Sequence, residues 1–102
     1  MADYEKVIRL IGLAKRAGKV RAGTFITEKL LRENKALFVV IAKDGSPGQK
    51  EKLINLCKSS KAEYIVISDK EKLGNIIGKE EILSVVITDI NFVNGIKKEI
   101  NK

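Results

Sequence analysis

A chain of 102 residues, 44% hydrophobic and 32% charged, has enough length for one globular core and a composition too apolar for a disordered tail. It has no histidine and a single cysteine, Cys57, which excludes an internal disulfide, a Cys–His or Ser–His nucleophile and the usual zinc ligand sets. The net charge of +7 points to a polyanionic partner, because lysine and arginine gain affinity by releasing counterions from phosphates.

The basic surplus is uneven. Residues 1–35 hold nine Lys/Arg against four Asp/Glu, whereas residues 36–102 hold eleven against nine. A binding site is therefore expected in the first third. The longest apolar runs, residues 36–42 and 64–67, fall far short of the roughly 20 residues that span a bilayer. The opening MADYEKVIRL has no basic stretch followed by an apolar one, so no secretory signal is expected. With a lone cysteine, a cytoplasmic setting without membrane contact is the expectation.

Val7, Leu10, Ile11 and Ala14 recur at helical spacing and predict a first helix over residues 3–17, ended by Gly18 in the left-handed conformation. Residues 19–21 form a short strand. Thr24 then caps a second helix with Leu30 and Leu31 inward, ending near Asn34. LFVVIA, residues 37–42, is a β-branched apolar run that predicts a strand buried on both faces. Residues 43–48, with Gly45, Pro47 and Gly48, make a turn. A third helix follows with Leu53, Ile54 and Cys57 inward. Residues 64–67 are the next buried strand, adjacent to 37–42 and central like it. Ser68 and Glu71 form a capping box for a short fourth helix carrying Leu73, Ile76 and Ile77. Residues 85–88 are the last strand. Asp89 or Asn91 caps a final helix with Phe92, Val93, Ile96 and Ile100 on one side. Short apolar strands alternating with amphipathic helices predict an α/β fold. Its form is one three-layer α–β–α sandwich over residues 1–102, with a small, mostly buried sheet of about four strands.

Enzyme signatures are missing. Neither GxxxxGK[ST] nor GxGxxG occurs, so no phosphate-cradling fingerprint is present. Gly74 and Gly78 are explained by close packing and a helix C-cap. Asp44 follows a strand but has no acid or histidine beside it, and turn aspartates are commonplace. Cys57 at helical spacing from Leu53 and Ile54 is a small buried hydrophobe. No catalysis, cofactor, metal or small-molecule substrate is expected.

The segment KRAGKVRAGTFITEKLL is the basic, glycine-marked part of the chain. It brings Lys15, Arg16, Lys19, Arg21 and Lys29 together with Gly18 and Gly23. Gly23 permits a close backbone approach just before a helix, whose first N–H groups and positive dipole end suit a phosphate. Lys29 can reach back along such a backbone. Phe25 either joins the core or offers a flat face to a nucleotide base.

The blocks GKVRAGTFITEK, LFVVIAKDGSP and KEKLGNIIGKEE resemble, in order and spacing, the ribosomal L-seven-Ae kink-turn RNA-binding family, most of all its bacterial YlxQ branch. The resemblance spans nearly the whole chain. It implies a three-layer sandwich that binds structured RNA, ribosomal or ribosome-associated, as a monomer and without catalysis. In that family the turn before the second helix and the start of that helix grip a kinked backbone and read sheared G·A pairs. Gly23, Thr24 and Lys29 match that motif. Phe25 and Ile26 stand where RNA-binding relatives carry polar residues, and neither can read a guanine edge. The family's second contact corresponds here to Glu81, Ile82, Leu83 and Ser84, with Ile82 and Leu83 packing on an extruded nucleotide. The alternative is a protein–protein adaptor on the same fold that has lost specific RNA readout. Exposed Phe25 and Ile26 would then form its apolar patch.

Overall fold

The computed structural model describes residues 3–101. Met1, Ala2 and Lys102, the ends of the expected 1–102 domain, lie outside the described residues. Five helices and four strands alternate in the expected order, in a body measuring 28 × 27 × 26 Å.

Helix α1, Tyr4–Arg16, starts where the Asp3 carboxylate accepts the Lys6 N–H at 3.1 Å, and it buries Val7, Ile11 and Ala14. Gly18 reverses the chain at φ 75°, a conformation that penalises any residue with a Cβ. Strand β1 is Val20–Ala22, one residue later than expected. Helix α2, Thr24–Arg32, is not capped by Thr24: its N-cap is Gly23, and no side chain caps its first N–H groups. The physical reason is Gly23 itself. Its φ of 118° turns strand directly into helix, which makes Thr24 the first helical residue. Asn34, at φ 57°, ends the helix as expected, with the Lys35 N–H returning to the Leu30 carbonyl at 2.8 Å.

Strand β2, Phe38–Ile41, is buried along its whole length, whereas Leu37, expected inside it, is 42% exposed. Helix α3, Pro47–Ser60, has Ser46 as its cap and proline in its first turn, and it buries Leu53 and Cys57. Strand β3, Glu63–Val66, lies parallel to β2. It is not a central buried strand. The sheet order is β1-β4-β2-β3, so β3 is an edge with one neighbour, and Tyr64, Ile65 and Val66 remain half-buried. Helix α4, Lys70–Ile76, is capped by Asp69, which accepts the Lys72 N–H at 2.7 Å. The expected Ser68–Glu71 capping box does not form. Ser68 sits in the left-handed turn at φ 63°, outside the geometry a cap needs.

Strand β4, Ser84–Ile87, begins one residue early, leaving Thr88 outside. It is antiparallel to both β1 and β2 and buried throughout. Asp89, rather than Asn91, caps helix α5, Ile90–Ile100, by accepting the Asn91 and Phe92 N–H groups at 2.8 and 3.3 Å. Helix α1 packs on α4 and α5, and α2 packs on α3. Since every residue of β2 and β4 is buried although a strand's side chains alternate, the two helix groups cover opposite faces. This is the three-layer sandwich.

Candidate nucleic-acid interface

The antiparallel register of β1 and β4 builds the site. It sets Ala22 opposite Val85, so the end of β1 lies beside the start of β4. The Gly23 N–H donates to the Ser84 carbonyl at 3.0 Å. The turn into α2 and the loop before β4, distant in sequence, therefore share one backbone hydrogen bond. Thr27 reinforces the joint. Its buried hydroxyl donates to the Gly23 carbonyl at 2.7 Å and lies 2.9 Å from the Ser84 hydroxyl. Thr27 has one proton to give, so Ser84 is the donor in the second bond.

The loop before β4 is held from three sides. The Ile82 N–H donates to the Lys70 carbonyl at 3.0 Å, and the Leu83 carbonyl accepts the Ala42 N–H at 2.8 Å. Gly45 leaves room for the Leu83 methyl, which any Cβ there would strike. A Cβ on Gly74 would lie 2.9 Å from the Glu80 backbone, so α4 and this loop touch at a position that needs glycine. Gly78, at φ 80° just past the end of α4, has the expected C-cap conformation.

The start of α2 faces outward. The first N–H groups of a helix have no partner within it, and here there is neither a side-chain cap nor an acidic residue in the first turn. That end is positive and open to an anion. Phe25 is 84% exposed and Ile26 is half-buried. Lys29, one turn beyond Phe25 on the same side, is also exposed. Arg32 is occupied by Glu28 at 3.2 Å, and Glu28 also takes Lys52 at 3.3 Å. Lys19, Arg21 and Lys29 make no ion pair among the described residues.

The structure thus gathers Gly23, Thr24, Phe25, Ile26 and Lys29 beside the loop before β4, with Arg21 on the adjoining strand. Lys19 stands apart. Its carbonyl accepts the Thr88 N–H at 2.9 Å at the far end of β1, ~13 Å from Gly23 at ~3.3 Å per residue. The second contact also differs from expectation. Leu83 is 7% exposed and Ser84 is fully buried, because both are spent holding the loop to the sheet. Ile82, half-buried, keeps some outward surface.

Several residues went unrecognised in the sequence. Lys43 and Lys70 stand at the same end of the sheet, and neither forms an ion pair among the described residues. They come from separate loops, which no local motif links. Thr27 carried a weak signal, a threonine on the buried stripe of an amphipathic helix. The Asp44 carboxylate accepts the Lys70 N–H at 2.8 Å, a structural use. Burial raises the Cys57 thiol from an ordinary 9.0 to about 11, which makes it a poor nucleophile. No cluster of three or more metal-ligating side chains occurs among the described residues.

The sequence and the fold resemble those of known proteins. The chain is 35% identical over 85 residues to the RNA-binding protein YlxQ of Bacillus subtilis, covering 83% of this chain and 85% of that one. It is 31% identical over 86 residues to the large ribosomal subunit protein eL8 of Thermoplasma volcanium, covering 83% and 71%. A solved Bacillus halodurans structure superposes with a TM-score of 0.87 at 27% identity, covering 95% of this chain and 98% of that one. Residues 5–96 match the ribosomal protein L7Ae/L30e/S12e/Gadd45 family, and the chain belongs to that family.

Proposed function

We propose that this chain is a non-catalytic RNA-binding protein. It grips structured, kink-turn-like RNA with the start of α2, Arg21, Lys29 and the loop before β4. One observation carries the proposal: cations free of ion pairs flank an acid-free helix start in a chain of net charge +7. The names of its relatives, an RNA-binding protein and a large ribosomal subunit protein, support the same reading. The name of the second relative also supports a ribosomal or ribosome-associated RNA target. In this reading the chain binds it in the cytoplasm as a monomer. Phe25 and Ile26 carry no hydrogen-bonding side-chain group, so affinity should depend weakly on the G·A pairs of a kink-turn.

A second reading, a protein–protein adaptor, is favoured by the exposure of Phe25. Salt separates the two. Each phosphate neutralised contributes about −0.9 to the slope of log affinity against log salt, whereas apolar docking has little slope. Titration of a kink-turn RNA across a salt series should give a slope of about −2 or steeper. No binding removes the RNA-binding proposal, and tight binding with a flat slope removes the phosphate grip by Arg21, Lys29 and the start of α2.

A further inference from the structure

We propose that the Phe25 ring is a stacking platform for one unpaired nucleobase, so that the site selects an unpaired base of any identity. This rests on the RNA-binding reading above.

Phe25 is 84% exposed, well beyond the other exposed large hydrophobics, of which Ile90 is next at 54%. Phe38 shows how this chain treats an aromatic ring that it uses for packing: that residue is 2% exposed. The residues three and four positions beyond Phe25 on its helix are charged, Glu28 and Lys29. Lys29 lies one turn along on the same side, about 6 Å of rise away. Glu28, the nearest acid on the helix, is neutralised by Arg32 and Lys52. A protein partner's apolar surface would call for a wide apolar patch, whereas Phe25 is followed at helical spacing by the charged Glu28 and Lys29. A ring set between open N–H donors and a free ammonium suits a ligand that alternates negative charges with flat apolar faces, and a nucleic acid strand has that chemistry.

The first turn also limits what can be read. The side chains at Phe25 and Ile26 are hydrocarbon. The Thr27 hydroxyl is committed to Gly23 and Ser84. Thr24 alone in that turn keeps a hydroxyl for the ligand, and a hydroxyl donates or accepts without preference. Hydrogen-bond discrimination between bases is therefore poor here. Stacking is tolerant, since every base has a π-face.

The test uses the full chain and a hairpin RNA with a single-nucleotide bulge. The bulge carries each of the four bases in turn or an abasic site, and the fully paired parent is the control. The four bulged hairpins should bind within about threefold of one another. The abasic hairpin should bind about tenfold more weakly or worse, which is ~1.4 kcal/mol of lost stacking. Phe25→Ala should lose the same factor on bulged RNA and little on the abasic one, while Phe25→Tyr keeps the affinity. The chain has no tryptophan, so Phe25→Trp supplies a single fluorophore whose emission should be quenched by a bulged base. Equal losses on bulged and abasic RNA, or full affinity in Phe25→Leu, overturn the stacking assignment. If Phe25→Ala leaves all affinities unchanged, this inference alone falls. If the folded wild-type chain binds none of these RNAs, the RNA-binding reading falls with it.

Discussion

The hydroxyls of Thr27 and Ser84 lie 2.9 Å apart with no exposed surface on either residue, and they tie α2 to β4 at the point where the candidate interface forms. The pair supports the candidate interface from beneath and offers no surface to a ligand. Thr27→Val leaves the Ser84 hydroxyl buried without an acceptor and should cost ~1–3 kcal/mol. Thr27→Val with Ser84→Ala removes both polar groups and should recover part of that loss. Urea unfolding of the two single variants and the double variant measures the coupling. A double variant whose loss equals the sum of the single losses refutes the bond.

Gly74→Ala tests the seat of the loop before β4. In an exposed helix this change gains up to ~1 kcal/mol in propensity. Here the new methyl would meet the Glu80 backbone at 2.9 Å, and backbone cannot swing aside like a side-chain tip. The expected net effect is a loss of ~1–3 kcal/mol from overpacking. Thermal unfolding gives the sign, and a stabilised variant would contradict the contact.

Lys29→Ala and Lys19→Ala separate the two ends of β1. Lys29 stands beside the open helix start, whereas Lys19 is ~13 Å from Gly23 along β1. Lys29→Ala should weaken RNA binding for all sequences alike and reduce the salt slope by about one. Lys19→Ala should do less on both counts. Titrations at two or more salt concentrations decide the order, and a larger effect of Lys19→Ala would move the site to the other end of the sheet.

Cys57 makes stability fall at alkaline pH. The folded thiol titrates at about 11 and the unfolded one near 9.0, so between those values the unfolded chain holds fewer protons. Stability therefore falls as pH rises through that window, by on the order of 2–3 kcal/mol in all, and is unaffected below it. Comparing denaturation of wild type and Cys57→Val at pH 7.5 and pH 10.5 isolates the thiol from the titrating lysines. A wild-type loss no larger than that of Cys57→Val would refute the shift.

Much of this protein follows from local rules. The 3.6-residue spacing of Val7, Ile11 and Ala14 and the apolar run around Phe38–Ile41 identify helix and strand, because burial of one helical stripe or of both strand faces is written directly into the residue order. Gly18, Asn34 and Gly78 end helices at a positive φ, as their types allow, whereas Lys61 does so after α3 with no such signal in its type. Caps were less legible. Ser68 and Asp69 are both capping residues by type, and only the turn that sets Ser68 at φ 63° assigns the role to Asp69.

The order of the strands lies beyond such rules. Nothing in the residues of β3 says that it has one neighbour, since an edge is defined by what the other strands do. The burial of Leu83 and Ser84 has the same origin: their residue types fit a binding loop, and their hydrogen bonds to Ala42 and Gly23 turn them inward. Phe25 is the sharpest case. Its type allowed core or surface and leaned towards core, and the helix phase set by burying Thr27 and Leu31 is what points the ring outward beside Lys29. The sequence by itself determined the alternation of elements, the basic first third and the lack of any histidine. Only the tertiary structure decided which basic residues stand together, because an antiparallel strand pair joins the turn at Gly23 to a loop far along the chain.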